Sequence, residues 1–70
     1  MELSQLRYFI AVAKLGNMSK AAETLFVSQP NLSTSIKTLE ESLGFHIFNR
    51  SARGIVPTTE GKMFLKSAEI

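Results

Sequence analysis

The 70-residue chain contains no cysteine, a single histidine, two prolines and four scattered glycines. Without cysteine there is no disulfide framework to offset small size, and no thiolate zinc site. His46 alone cannot supply a metal cage. The glycines at 16, 44, 54 and 61 stand apart. No glycine-rich phosphate loop exists; each glycine reads as a cap or turn. Long apolar runs are missing too. The longest, residues 8–13, is six residues, against about 20 for a membrane-spanning helix. The start, Met-Glu-Leu-Ser, lacks the basic and apolar segments of a secretion signal. A soluble, cytoplasmic chain is therefore expected.

What is present suffices for one small domain. Hydrophobic residues make up 44% of the chain, and the formal net charge is only +2, which argues against disorder. Half of such a chain could not enclose a core, so it is not divisible into two folded units. Charge is spread evenly between the halves. The local asymmetry lies late, where Arg50, Arg53, Lys62 and Lys66 are opposed only by Glu60. Such a cluster suits an anionic partner, and an ordinary solvated surface produces it as well.

Hydrophobic spacing divides the chain into short helices. Leu3, Leu6, Ile10 and Ala13 form one stripe, and Tyr8, Ala11, Val12 and Leu15 a second; a helix apolar on two sides is a central one. Gly16-Asn17 supplies its stop. Ser19 is expected to cap a second helix beginning at Lys20, with Ala21, Ala22 and Leu25 inward and the alanines permitting close approach. After a turn at Phe26-Val27-Ser28, Ser28 caps a third helix with Pro30 in its first turn. Leu32, Ile36, Leu39 and Leu43 give this helix the cleanest stripe in the chain, and Gly44 closes it. Beyond it, Phe45, Ile47, Phe48 and Ile55-Val56 flank a turn at residues 51–54, the pattern of a small hairpin. Thr58 or Thr59 then caps a fourth helix with Gly61, Phe64, Leu65 and Ala68 on one side. No stop signal follows, so that helix is expected to continue in a longer parent protein.

The third helix carries the most informative surface. With the leucine stripe buried, Pro30, Thr34, Lys37 and Glu41 point outward, flanked by Asn31, Ser33 and Thr38. No acid occurs between Ser28 and Leu39; both acids of the helix, Glu40 and Glu41, fall in its last turns. A helix N-terminus favours phosphate, and short polar side chains reach base edges, so this face suits a DNA major groove. The same pattern also fits a solvated polar face, or a helix pair serving protein–protein contact.

Several spaced motifs occur together: Ser19-Lys-Ala-Ala-Glu-Thr-Leu25, Val27-Ser-Gln-Pro-Asn-Leu-Ser33, Ile36-Lys-Thr-Leu-Glu40, Leu43-Gly44, Ile47-Phe-Asn-Arg50 and Thr58-Thr-Glu-Gly61. In these the chain resembles the N-terminal DNA-binding domain of LysR-type transcriptional regulators over nearly its whole length. The resemblance implies a mainly α fold, a winged helix-turn-helix of three core helices and a β-hairpin wing. It divides the chain at residues 1–57, the DNA-binding domain, and 58–70, the start of a linker helix used for dimerisation.

It further implies sequence-specific binding of double-stranded DNA, with helix three (residues 29–43) in the major groove and the wing (residues 48–57) at the minor groove or backbone. Ser28, Gln29, Pro30, Asn31, Ser33, Thr34 and Lys37 would meet the major groove, and Arg53 the minor groove or its backbone. Arg50 either contacts phosphate or pairs with Glu40. Thr58 is a DNA-binding position or, more readily, a helix cap. No cofactor is expected in this segment; a small-molecule effector would bind an absent C-terminal domain. The parent would be a homodimer through the linker helix, or a tetramer.

Three departures from the family pattern bear on this. Thr34-Ser35 stand where many relatives carry an arginine, leaving Lys37 as the formal cation of the reading face. Asn31 replaces a small apolar residue. Pro57 replaces an aliphatic one and is expected to shorten the second wing strand, because proline cannot donate to a ladder. A winged-helix module that binds protein is the alternative reading. An enzyme is not expected, since no carboxylate is assignable to orient His46 in a triad.

Overall fold

The computed structural model describes residues 2–51 and 54–68. Four helices and one hairpin follow in the order α1 (Leu3–Leu15), α2 (Met18–Leu25), α3 (Gln29–Leu43), β1 (Phe48–Ser51), β2 (Gly54–Pro57) and α4 (Thr59–Ala68).

Helix α1 is the central element, packed against α2, α3, α4 and β2. Its innermost residues are Phe9 and Val12, both fully buried. Phe9 corrects the sequence reading. It belongs to neither stripe assigned above, yet its ring stands 5.2 Å from those of both Phe48 and Phe64, tilted by about 45°. Tilted aromatic pairs align ring edges with ring faces, so one side chain joins α1 to the hairpin and to α4. Leu3 and Leu15, assigned to the stripes, are exposed.

The short links between helices are set by local chemistry. Gly16 ends α1 in the left-handed conformation (φ 62°), its N–H donating to Val12 O. The very next residue, Asn17, is extended and caps α2, its side chain accepting from Lys20 N at 2.9 Å. The cap is therefore Asn17 and not Ser19, and α2 starts at Met18, whose side chain joins the core. An asparagine after a C-terminal glycine can serve the following helix directly, because its amide oxygen reaches N–H groups just as a serine hydroxyl does.

Ala21 and Ala22 are buried where α2 meets its neighbours. Phe26 ends α2 at φ 59°, a left-handed conformation unusual for a non-glycine residue. Its side chain is 94% exposed. Ser28 caps α3 as expected, its hydroxyl accepting from Asn31 N, and Gly44 closes α3 at φ 82°. Leu32, Ile36 and Leu39 are buried, with Leu43 packed beside them.

The strands pair antiparallel, Phe48 opposite Pro57 and Ser51 opposite Gly54. Pro57 does not shorten β2. Thr58 N–H donates to Ile47 O at 3.1 Å, and in an antiparallel ladder the flanking Phe48–Pro57 position is then one that needs no N–H from proline.

Helix α4 is capped by Thr58, whose hydroxyl oxygen accepts from Gly61 N (2.9 Å) while its O–H donates to His46 O (2.7 Å). Gly61 is buried directly against the Ile47 backbone. The core thus sits between α1, α2 and α3 and is closed on one side by the hairpin and α4.

Candidate nucleic-acid interface

The first half of α3 forms one exposed polar surface. Ser28, Gln29, Pro30, Asn31, Thr34 and Lys37 are exposed, and Ser33 is half-buried beside them. Their order follows from burial of Leu32, Ile36 and Leu39, which turns the intervening positions outward. The helix begins in the open, so its dipole places partial positive charge at Ser28–Asn31, although Asn31 N–H is already accepted by the Ser28 hydroxyl and Pro30 carries no N–H. No carboxylate competes until Glu40.

Glu40 is the electrostatic pivot between α3 and the hairpin. Only 16% of its side chain is exposed. Its Oε2 accepts from Ile47 N at 2.7 Å and from Phe48 N at 3.3 Å, and lies 3.6 Å from His46 Nδ1. One carboxylate thereby satisfies two backbone donors at the entry to β1 and fixes the hairpin against the helix. Charge-assisted bonds of this kind are the stronger class. The sequence leaves Arg50 open between a pair with Glu40 and a phosphate contact. Arg50 occupies β1 opposite Ile55, but its side chain lies outside the described residues, as does all of Arg53. His46 is 85% exposed at the imidazole.

Between α3 and the hairpin runs a groove of about 490 Å³, lined by Ser33, Ile36, Lys37, Glu40, His46 and Ile55, among others. The structure brings Ser33 and Lys37 to this groove and leaves Thr58 apart, with its hydroxyl engaged as donor and acceptor within the fold. One contact escaped sequence reasoning altogether. The Ser19 hydroxyl donates to Gln29 Oε1 at 2.9 Å, tying the first turn of α2 to the first residue of α3. Ten residues separate the two, and no periodicity marks such a pair.

Among the described residues, no three acidic or histidine side chains gather as metal ligands, and no helix is long and apolar enough to cross a membrane. Two helices joined by a tight turn, the second displayed on the surface, with a hairpin held beside it, define a winged helix-turn-helix.

Comparison with known proteins agrees. Residues 3–62 match the model of the bacterial regulatory helix-turn-helix proteins, lysR family. The transcriptional regulator TfdT of Cupriavidus pinatubonensis is 46% identical over 68 residues, covering 97% of this chain and 30% of TfdT. TcbR of a Pseudomonas species is 50% identical over 68 residues, covering 97% of this chain and 23% of TcbR. The crystal structure of the CbnR DBD–DNA complex superposes with a TM-score of 0.94 at 49% identity, covering 99% of this chain and 79% of that one. Full-length CbnR complexed with its target DNA gives 0.93 at the same identity, the present chain spanning 24% of it. The chain belongs to the LysR family.

Proposed function

We propose that this chain is the operator-recognition domain of a bacterial transcriptional regulator and binds double-stranded DNA sequence-specifically. The observation that carries the reading is the acid-free, solvent-facing N-terminal half of α3, presented end-first beside the hairpin. In this reading α3 enters the major groove, with Ser28, Gln29, Pro30, Asn31, Ser33, Thr34 and Lys37 at base edges and phosphates. The wing reaches the minor groove or backbone through Arg53, and Arg50 supports it or meets phosphate. Thr58 contributes by capping the helix that follows. The 49% identity to CbnR, crystallised with its target DNA, supports the assignment.

Residues 1–57 act as the DNA-binding domain and residues 58–70 as the start of a linker helix through which two copies associate. Two copies related by a two-fold axis would present their α3 helices to successive major grooves roughly 34 Å apart. The parent protein is a cytoplasmic homodimer or tetramer whose effector binds a separate C-terminal domain, and this chain performs no catalysis. Association of the isolated chain is weak and concentration-dependent, because α4 offers few turns for it.

Binding-site selection from a pseudo-palindromic duplex library, followed by salt titration, tests the reading. The expected result is one enriched site whose affinity falls steeply with salt. Failure to enrich any site, or enrichment insensitive to salt, refutes it.

A further inference from the structure

The hairpin is short, and its two ends are held to the domain by unrelated contacts. At the base, the Glu40 carboxylate accepts from Ile47 N and Phe48 N, and Ile47 O accepts from Thr58 N. At the far end, Gly54 opens β2 opposite Ser51, directly after Arg53 in the sequence. Its φ of 117° is one that residues bearing a Cβ rarely adopt. Gly54 also lies against the link between α1 and α2. A Cβ there would stand 3.0 Å from Gly16 O, closer than a side chain normally approaches. Gly16 is itself fixed, as the C-terminal cap of α1 whose N–H donates to Val12 O at 2.8 Å. Base and far end are about 10 Å apart, three steps along a strand of about 3.4 Å each. A hairpin pinned at one end can swing; pinned at both, it has a single bearing.

We propose that Gly54 is a positioning residue: by letting β2 close onto Gly16 O, it sets the bearing of the wing relative to α3 and so determines which flanking nucleotides the wing meets. The inference rests on the DNA-binding reading above. There α3 occupies the major groove and the wing the neighbouring minor groove or its backbone. Both contacts fall on one duplex only if their separation matches it, and the minor groove is only about 6 Å wide. Gly54 touches no nucleotide; it acts through the wing, one residue from Arg53. Any side chain at position 54 must displace either Gly16 O or the start of β2. Gly16 ends a helix whose Phe9 and Val12 are fully buried, so the strand is the part that yields. Relief of the contact takes a few tenths of an ångström, and relaxing φ toward values that a Cβ tolerates turns the chain further at the far end of the hairpin.

The test uses the duplex selected by the unaltered chain and compares that chain with Gly54→Ala, Gly54→Asn and Gly16→Ala. Hydroxyl-radical footprinting reads the backbone contacts, and repeated selection reads the half-site sequence. The unaltered chain is expected to protect a flank at a constant offset from its half-site. Gly54→Ala should keep the half-site sequence, lose or shift the flank protection, and bind about threefold to tenfold more weakly, the scale of one lost contact. Asparagine tolerates positive φ better than alanine but carries the same Cβ, so Gly54→Asn should fold more stably and still lose the flank. Gly16→Ala is the control. It strains a left-handed backbone at φ 62°, but its Cβ would stand 3.8 Å from Ile55 O, an ordinary contact. It should lower the Tm and leave the flank protection in place.

Unchanged flank protection in both Gly54 variants overturns the assignment, as does equal loss in Gly16→Ala or a loss spread evenly over half-site and flank. Nitrogen relaxation of the backbone amides of β1 and β2 in the DNA-free chain gives an independent readout. Order equal to that of α3 in the unaltered chain supports the two-ended hold, and a hairpin markedly more mobile than α3 overturns it. That measurement decides even where Gly54→Ala fails to fold. Absence of any selected site, alongside an ordered hairpin, would strike at the DNA-binding reading and leave the hold at Gly54 standing.

Discussion

Substituting Gly61 by alanine sets two effects of opposite sign against each other. Alanine is the better helix former by about 1 kcal/mol, and on propensity alone the variant should be more stable. The position of Gly61 says otherwise. A Cβ there would lie 2.1 Å from Ile47 O, 2.9 Å from Ile47 C and 3.1 Å from Ile47 Cα. Relief requires a shift of more than about 1 Å, since carbon contacts settle near 3.5–4.0 Å.

The neighbour cannot simply move. Ile47 is fully buried, its N–H is held by Glu40, and its carbonyl accepts from Thr58 N. Moving the first turn of α4 instead strains the Thr58 bonds to Ile47 O and His46 O. Overpacking costs about 1–3 kcal/mol, and each weakened hydrogen bond about 1 kcal/mol. With two bonds weakened and the propensity gain subtracted, the net loss is about 2–4 kcal/mol. For a domain this small that corresponds to a Tm roughly 10–30 °C lower. Thermal unfolding followed by far-UV circular dichroism measures it, with Lys62→Ala at the adjacent exposed position as control. An unchanged or raised Tm for Gly61→Ala would refute the packing argument.

Glu40→Ala leaves the N–H groups of Ile47 and Phe48 without their acceptor and should cost about 2–4 kcal/mol in chemical denaturation, on a scale of about 1–3 kcal/mol per unsatisfied buried group; Glu40→Gln, which keeps an acceptor oxygen, should recover part of it. Phe26→Gly relieves a left-handed backbone whose side chain has almost no packing to lose, and a gain of up to about 1 kcal/mol is expected; a clear loss of stability would show that the exposed ring contributes to the fold. Lys37→Ala should weaken DNA binding by about 1–3 kcal/mol if the ammonium meets a base, or lower the salt slope by about 1 if it meets phosphate. Titrations at several salt concentrations separate these two outcomes, and no change in either quantity would remove Lys37 from the interface.

The extent of α3 was readable in the sequence because it rests on local signals, a capping serine, a four-residue apolar rhythm and a closing glycine; the hairpin was legible as a pattern, but not its second strand, which runs through Pro57. The second helix was misread at its start because Asn17 can terminate one helix and begin another, and spacing alone does not say which use prevails. Phe9 was missed for a different reason. In a helix packed on several sides the periodicity blurs, and the most buried residue is then set by which neighbours arrive from far along the chain, here Phe48 and Phe64. Glu40 illustrates the same limit at the site. Two of its partners are the backbone N–H groups of Ile47 and Phe48, and backbone donors carry no sequence signature. The polar face of α3 was legible as a list of residues; the bond from Ser19 to one of them was not.

Thr58 and Gly61 do more than start a helix. Together they fasten the first turn of α4 to the segment carrying His46 and Ile47, so the helix leaves the domain at a fixed bearing. Over Thr59–Ala68, a length of about 15 Å, a swing of about 10° at the root would carry the far end about 2.6 Å sideways. The contact at Gly61 therefore sets an aim whose error grows with distance. A substitution there that the fold tolerated would still redirect whatever the helix carries, a change of geometry invisible to any assay that asks only whether the protein is folded.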